Sequence, residues 1–369
     1  MNEKAELTEQ LIYLCRCAVD GIKPEKERLE GIDPEALYAL AERHLLTSAA
    51  GMALESAGIR NEAFMQAVAR AQRKNALLDA DRARVLGEME KAGIWYMPLK
   101  GSVLKDLYPR YGMRQMADND ILFDVSRAEN VKDIMIRLGF SCEHFDEGNH
   151  DVYYKAPVSN FEMHRGLFAV TGKDLLYRYY SDVKKRLIRD DGREYGYHFS
   201  NEDFYIYMIS HEYKHYSGGG TGLRSLMDTY VYLKRKQPDM EYVRQETEKL
   251  GISGYEAQNR KLALDLFGGK KLDSEEQEML DYMLSSGTYG TMANAVSNQI
   301  REKGRMGFFL SRMSLPMDMM KTIYPAMRKA PWLYPVFWVW RLISRYFTNH
   351  RKFMYELKRA LGIGGKGKP

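Results

Sequence analysis

Three textures of apolar spacing succeed one another along the chain. From Ala5 to about Glu90, apolar residues recur at intervals of three and four, as at Leu37, Leu40, Ala41 and Leu45, with frequent alanine and few β-branched residues. That spacing predicts amphipathic helices. Asp33-Pro34-Glu35 supplies an N-cap with proline at the first helical position, and the run from Met65 to Met89 predicts one longer helix.

At Gly93 the period shortens. Ile94 to Leu99 reads as a short strand closed by Lys100-Gly101-Ser102, with a helix following through Tyr108. Ala117 to Val125 reads as a second strand, and Ser126 to Leu138 as a helix capped by Gly139. Asp151 to Lys155 and Val158 to Arg165 form an expected hairpin across Ala156-Pro157. Such an order in so short a stretch describes a small α/β unit. From Asn201 to about residue 300 the helical period returns, broken by the flexible run Ser217-Gly218-Gly219-Gly220-Thr221-Gly222. Beyond Arg301 the expected helices are interrupted at Pro316, Pro325, Pro331 and Pro335.

The expected organisation is therefore an α+β protein. An N-terminal helical region (1–90) precedes an α/β core with a small mixed sheet (91–198). A helical domain packing on that core (199–300) and a basic, aromatic helical segment (301–369) follow. With 369 residues, 45% hydrophobic and 28% charged, the chain is long enough to bury a sizeable core, and its composition excludes a disordered, collagenous or disulfide-built protein. Three cysteines and a polar, acidic beginning predict a protein of the reducing cytoplasm without an export signal. The net charge of +5 is unevenly spread: residues 301–369 hold 15 Lys/Arg against 3 Asp/Glu, so the rest is acidic on balance.

Chemistry concentrates around Asp118-Asn119-Asp120. On a strand, Asp118 and Asp120 project to one side. Paired carboxylates repel, a divalent cation relieves that repulsion, and Mg²⁺ bridges such oxygens to substrate phosphates. Gly101-Ser102, a turn opening a helix, offers backbone N–H groups suited to phosphate oxygens. In Phe161-Glu162-Met163-His164 the two apolar residues face one way, leaving Glu162 free to point at the aspartate pair as a third carboxylate.

These segments resemble a known group. Leu99-Lys100-Gly101-Ser102, Leu107-Tyr108, Arg114, Asp118-Asn119-Asp120-Ile121-Leu122 and Phe161-Glu162-Met163-His164 look like the uncharacterised bacterial nucleotidyltransferase family of the DNA polymerase beta superfamily. Ser210-His211 through His215, then Leu223-Arg224 to Asp228, resemble the helical part that follows its core. Asn119 departs from the pattern, which more often has an apolar residue between the aspartates. The resemblance implies transfer of a nucleoside monophosphate from an NTP to a hydroxyl acceptor (protein, RNA or small molecule), with release of pyrophosphate. It implies that Asp118, Asp120 and Glu162 hold Mg²⁺ or Mn²⁺, with Glu162 also helping to deprotonate the attacking hydroxyl. Gly101 and Ser102 would hold the β/γ phosphates, with Lys100 and Arg114 neutralising charge nearby. Arg224 and Asp228 would lie near the nucleotide or form a structural ion pair.

Two other readings compete. A non-catalytic nucleotide- or polyanion-binding protein would keep the same fold. His211-Glu212-Tyr213-Lys214-His215 is a literal H-E-x-x-H, which on a helix suits a zinc metallopeptidase. Thr221 stands where an extended form of that motif would place a third histidine. Finally, Trp332, Trp338 and Trp340 lie among basic residues in a stretch too short to span a bilayer. Residues 331–359 either dock an aromatic face on the core, with Arg341, Arg345, Arg351 and Lys352 in solvent, or make peripheral contact with an anionic membrane or a polyanion.

Overall fold

The computed structural model describes residues 3–169 and 175–348, except 314 and 316, together with 350, 354 and 355. Four helices come first: α1 (Glu3–Asp20), α2 (Pro34–Arg43), α3 (Thr47–Ser56) and α4 (Glu62–Lys91). Asp33 caps α2 as its sequence predicts, accepting from the Glu35 and Ala36 amides. Asn61 starts α4 by accepting from the Phe64 amide. Phe64, Ala67, Ala71, Leu78, Val85 and Met89 then give α4 one buried stripe at helical spacing.

The α/β unit follows. It comprises β1 (Tyr96–Pro98), the single turn α5 (Gly101–Leu104), β2 (Asn119–Phe123), α6 (Ala128–Arg137), β3 (Ser141–His144), β4 (His150–Lys155) and β5 (Ser159–His164). The strands form one mixed sheet in the order β1-β2-β5-β4-β3. β2 and β5 run parallel, and the other pairs are antiparallel. The expected hairpin is present, with its Ala156-Pro157 bond cis. β3 was not expected. It is a mostly exposed edge strand of Ser-Cys-Glu-His, without the apolar alternation that marks a strand. The helix expected through Tyr108 ends after one turn and tightens into a 3₁₀ turn at Lys105–Leu107.

Beyond a short helix α7 (Leu175–Tyr180) and a two-stranded ribbon, β6 (Ile188–Arg189) and β7 (Tyr197–His198), the chain is helical. The helices are α8 (Asn201–Gly218), α9 (Leu223–Lys236), α10 (Met240–Lys249), α11 (Ser253–Gly268), α12 (Ser274–Ser286), α13 (Met292–Met313), α14 (Met317–Ile323) and α15 (Tyr334–Thr348). The glycine run between α8 and α9 is shorter than expected, because α8 continues through Gly218. Pro335 does not interrupt a helix but lies in the first turn of α15, where a missing N–H costs nothing. Pro316 lies outside the described residues.

Two cores sandwich the sheet. On one face Tyr96, Ile121, Phe123, Phe161 and Met163 pack with Val131, Ile134 and Met135 of α6 and with Val85 and Met89 of α4. On the other, Met97, Leu99 and Leu122 join a larger core that runs continuously from α1, α2 and α3 to α8, α9, α11 and α12. Helices α1, α2 and α3 and the later helices thus close over one side of the sheet, opposite the Val85–Met89 end of α4. That side also carries the polar residues of interest.

Candidate active site

Strand alternation decides which side chains meet. Parallel pairing sets Asp120 opposite Glu162 and Leu122 opposite His164. Asp120, Glu162 and His164 therefore face the helices, and their ligand atoms lie within 4.8 Å of one another. Asp118 stands just before β2, beside this group. The pairing brings two of the three expected carboxylates into register and adds His164, which sequence reasoning placed on the correct face but gave no part.

Asp120 is buried. Its Oδ1 accepts from Lys100 Nζ at 2.8 Å and contacts His164 Nε2 at 2.8 Å. Burial would push this carboxyl up, but the Lys100 charge and the His164 hydrogen bond prevail and hold it well below the usual range. Asp118 goes the other way. Burial, then the charges of Asp120 and Glu162, push it up to about 7 against the pull of Lys100 and Arg224. Glu162 is likewise raised, by burial and then by Asp120. Three carboxylates thus share a partly desolvated space with more mutual repulsion than Lys100 relieves. Hard oxygen donors in that state fit Mg²⁺ or Mn²⁺.

The Gly101-Ser102 turn is held more tightly than an open phosphate cradle. A Cβ at Gly101 would lie 2.7 Å from Arg114 Nη1 and 2.9 Å from Met116 Sδ, so a side chain there would have to displace one or both of these side chains. The Ser102 hydroxyl donates to the Leu99 carbonyl at 2.7 Å, and its amide to the same oxygen at 3.3 Å. Arg114 does not point at open space. Its Nε and Nη2 grip the two carboxylate oxygens of Asp228 at 2.7 and 2.8 Å, and Tyr108 donates to the same Oδ1. Of the two alternatives for Arg224 and Asp228, the ion pair is not the one formed: Asp228 pairs with Arg114, tying the loop before β2 to α9. Arg224 instead donates to the Gln115 carbonyl at 3.2 Å, and its charge reaches Asp118.

α4 and α8 complete the surroundings. Lys74, half-buried on α4, brings its amine within electrostatic reach of Asp118, a role no feature of its helical sequence context signals. His211 and His215 on α8 lie one turn apart with their rings tilted against each other and their Nε2 atoms at 3.3 Å. Both are pushed down, His215 to about 4, by burial and neighbouring cations that include Lys100. Glu212 is buried elsewhere, accepting from Asn259 of α11 at 2.8 Å, and burial raises it to about 7. The carboxylate a zinc peptidase would use as its base is thereby committed to the helical core.

Asn119 has its own task. Its Nδ2 donates to the Leu78 carbonyl at 3.0 Å and its Oδ1 accepts from Arg82 at 3.0 Å. The residue between the aspartates thus clamps α4 to β2 from the opposite face. Two cavities open nearby, neither lined by the carboxylates themselves. One of about 370 Å³ is lined by His215, Gly218–Gly220 and the segment Tyr289–Met292. The other, about 270 Å³, lies beside Lys74, Gln115 and Ala117. Tyr289 lines both.

A family model described as an uncharacterised nucleotidyltransferase matches residues 30–268. No curated protein and no solved structure matches the chain.

Proposed function

The chain belongs to the uncharacterised nucleotidyltransferase family, and from that premise we infer that it moves a nucleoside monophosphate from an NTP to a hydroxyl acceptor, as enzymes of the DNA polymerase beta superfamily do. In this reaction the acceptor oxygen forms a bond to the α-phosphorus, the bond to the β-phosphate oxygen breaks, and pyrophosphate leaves. The observation carrying this reading is the pairing of Asp120 with Glu162 across two parallel strands, with Asp118 beside them.

Asp118, Asp120 and Glu162 would hold a divalent ion, Mg²⁺ or Mn²⁺, which supplies charge neutralisation for the triphosphate and its leaving group. Lys100, already bonded to Asp120, keeps that carboxylate ionised and oriented. Glu162, pushed up by burial and Asp120, is suited to receive the acceptor's proton. Lys74 and Arg224, cations flanking Asp118, would face the polyphosphate, with Gly101 and Ser102 shaping the turn beneath it. Arg114 and Asp228 act behind this layer, locking the loop to α9. Three free cysteines, two of them buried, suit a reducing, cytoplasmic setting. The acceptor class is open to experiment: incubation with each labelled NTP, Mg²⁺ or Mn²⁺ and cell extract should transfer label with stoichiometric pyrophosphate. Absence of both label and pyrophosphate under every NTP and metal would overturn the reading in favour of a binding protein.

A further inference from the structure

Beyond the matched family residues 30–268, α15 presents two unlike faces. Tyr334 donates to the Leu315 carbonyl, Trp338 Nε1 and Arg341 bond the Met313 carbonyl, and Phe337 stacks on Tyr324. Those contacts seat one side of the helix on α13 and α14. Arg341 is buried there rather than solvated, while Arg351, Lys352 and the side chain of Arg345 lie outside what the structure describes. The other side is apolar and open to solvent. Val336, Val339, Trp340 and Ile343 are all exposed, Trp340 at 58%, and Trp332 just upstream is 77% exposed. At 100° per residue these four helical positions fall within an arc of about 100°. The apolar residues of an amphipathic helix thus face outward, and its anchoring residues face in.

The charge of the segment that carries this face, Arg341 apart because it is buried, says what covers it. From Asp318 to Glu356 no acidic residue intervenes, whereas seven Lys/Arg do, within a C-terminal segment of 15 Lys/Arg against 3 Asp/Glu. A protein interface of this kind needs complementary shape. A bilayer surface needs only an apolar stripe, tryptophan at headgroup depth and cations toward anionic lipid. No helix among the described residues is long and apolar enough to cross a membrane, so contact would be from one side.

We propose that the outward face of α15, with Trp332, lies on an anionic membrane surface and docks the protein there. The proposal rests nowhere on the carboxylate chemistry, so either can fail without the other.

Co-sedimentation of the full chain with vesicles tests it. Binding is expected to phosphatidylcholine vesicles containing about 30 mol % phosphatidylglycerol, and to be about tenfold weaker with phosphatidylcholine alone or in about 0.5 M salt. Trp340→Glu and Trp332→Glu, both at exposed positions and checked by circular dichroism, should each weaken binding by about tenfold or more. Blue-shifted tryptophan emission on vesicle addition should be lost with them. Failure of the wild-type chain to sediment with anionic vesicles would overturn the proposal, as would undiminished binding by both variants. So would a dimer dissolved by Trp340→Glu, or RNA retention, in a chain that ignores vesicles.

Discussion

Lys100 reaches Asp120, Nζ to Oδ1 at 2.8 Å, from a backbone with φ 44° and ψ −114°. That conformation is natural to glycine and costs a side-chain-bearing residue on the order of 1–3 kcal/mol. A lysine is nevertheless held there, at the turn between β1 and α5, where its amine meets the buried carboxylate. Local strain and a charge-assisted bond thus meet at the residue that the proposed reaction places beside Asp120.

Two variants separate those contributions. Lys100→Ala keeps the strain and removes the amine; Lys100→Gly removes both. Urea unfolding should find Lys100→Gly more stable than Lys100→Ala by about 1 kcal/mol. Nucleotide transfer should fall in both by about a hundredfold or more. Equal stabilities would show that the backbone is not strained.

Removing a carboxylate should trade repulsion for metal affinity. At pH 8, above its raised value of about 7, Asp118 carries charge in the folded state beside Asp120 and Glu162. Without divalent ions, Asp118→Asn should therefore be more stable than wild type by about 1 kcal/mol, allowing for its partial exposure. Mn²⁺ should raise the melting temperature of wild type and not that of Asp118→Asn or Asp120→Asn. Transfer should vanish in both while circular dichroism stays unchanged. A variant turning over at the wild-type rate would remove that residue from the proposed site.

Much of this arrangement could be read from residue spacing, and the reasons are local. Period-two alternation places Glu162 and His164 on one face and Phe161 and Met163 on the other whatever surrounds them. The opposition of Asp120 and Glu162 needed the strand pairing as well, which spacing alone does not supply. Sequence proximity misled at Asp228, where one helical turn suggests Arg224. The actual partner, Arg114, lies 114 residues away and is reached only through tertiary folding. Lys74 was invisible for a similar reason: one more polar residue on a long helix, made relevant by where α4 crosses the sheet. Asn119 looked like an exception between two aspartates because the helix it clamps cannot be seen from a strand pattern.

The Arg114–Asp228 pair gives a test of structural against substrate-contacting roles. Both groups are buried, and Tyr108 shares the carboxylate. Removing one charge strands the other, at a cost of about 3–5 kcal/mol. Arg114→Met should therefore lower the urea midpoint strongly, and Arg114→Met with Asp228→Leu should recover part of the loss. If Arg114 contacted phosphate instead, stability would hold and the KM for NTP alone would rise.

His44 predicts an acid-sensitive joint between the N-terminal helices and α9. It is fully buried, its Nδ1 accepts from the Leu223 amide at 3.3 Å, and its Nε2 has no hydrogen-bond partner among the described residues. Burial, and then Arg43, push it down to about 4 from an ordinary 6.5. The folded state therefore resists protonation while the unfolded chain accepts it. Between about pH 6.5 and pH 4 the unfolded state binds more protons, so stability falls as pH falls, by up to about 3 kcal/mol across the window. Above pH 6.5 both states hold a neutral imidazole and the contribution is flat. His44→Asn supplies a carbonyl to accept from Leu223 but has no proton to gain. Urea midpoints measured from pH 7.5 to pH 4.5 should therefore fall less steeply for the variant than for wild type, even if its packing lowers the whole curve. Parallel curves would show that His44 protonates in the folded chain as readily as in water, and that α9 is not sealed against acid at this point.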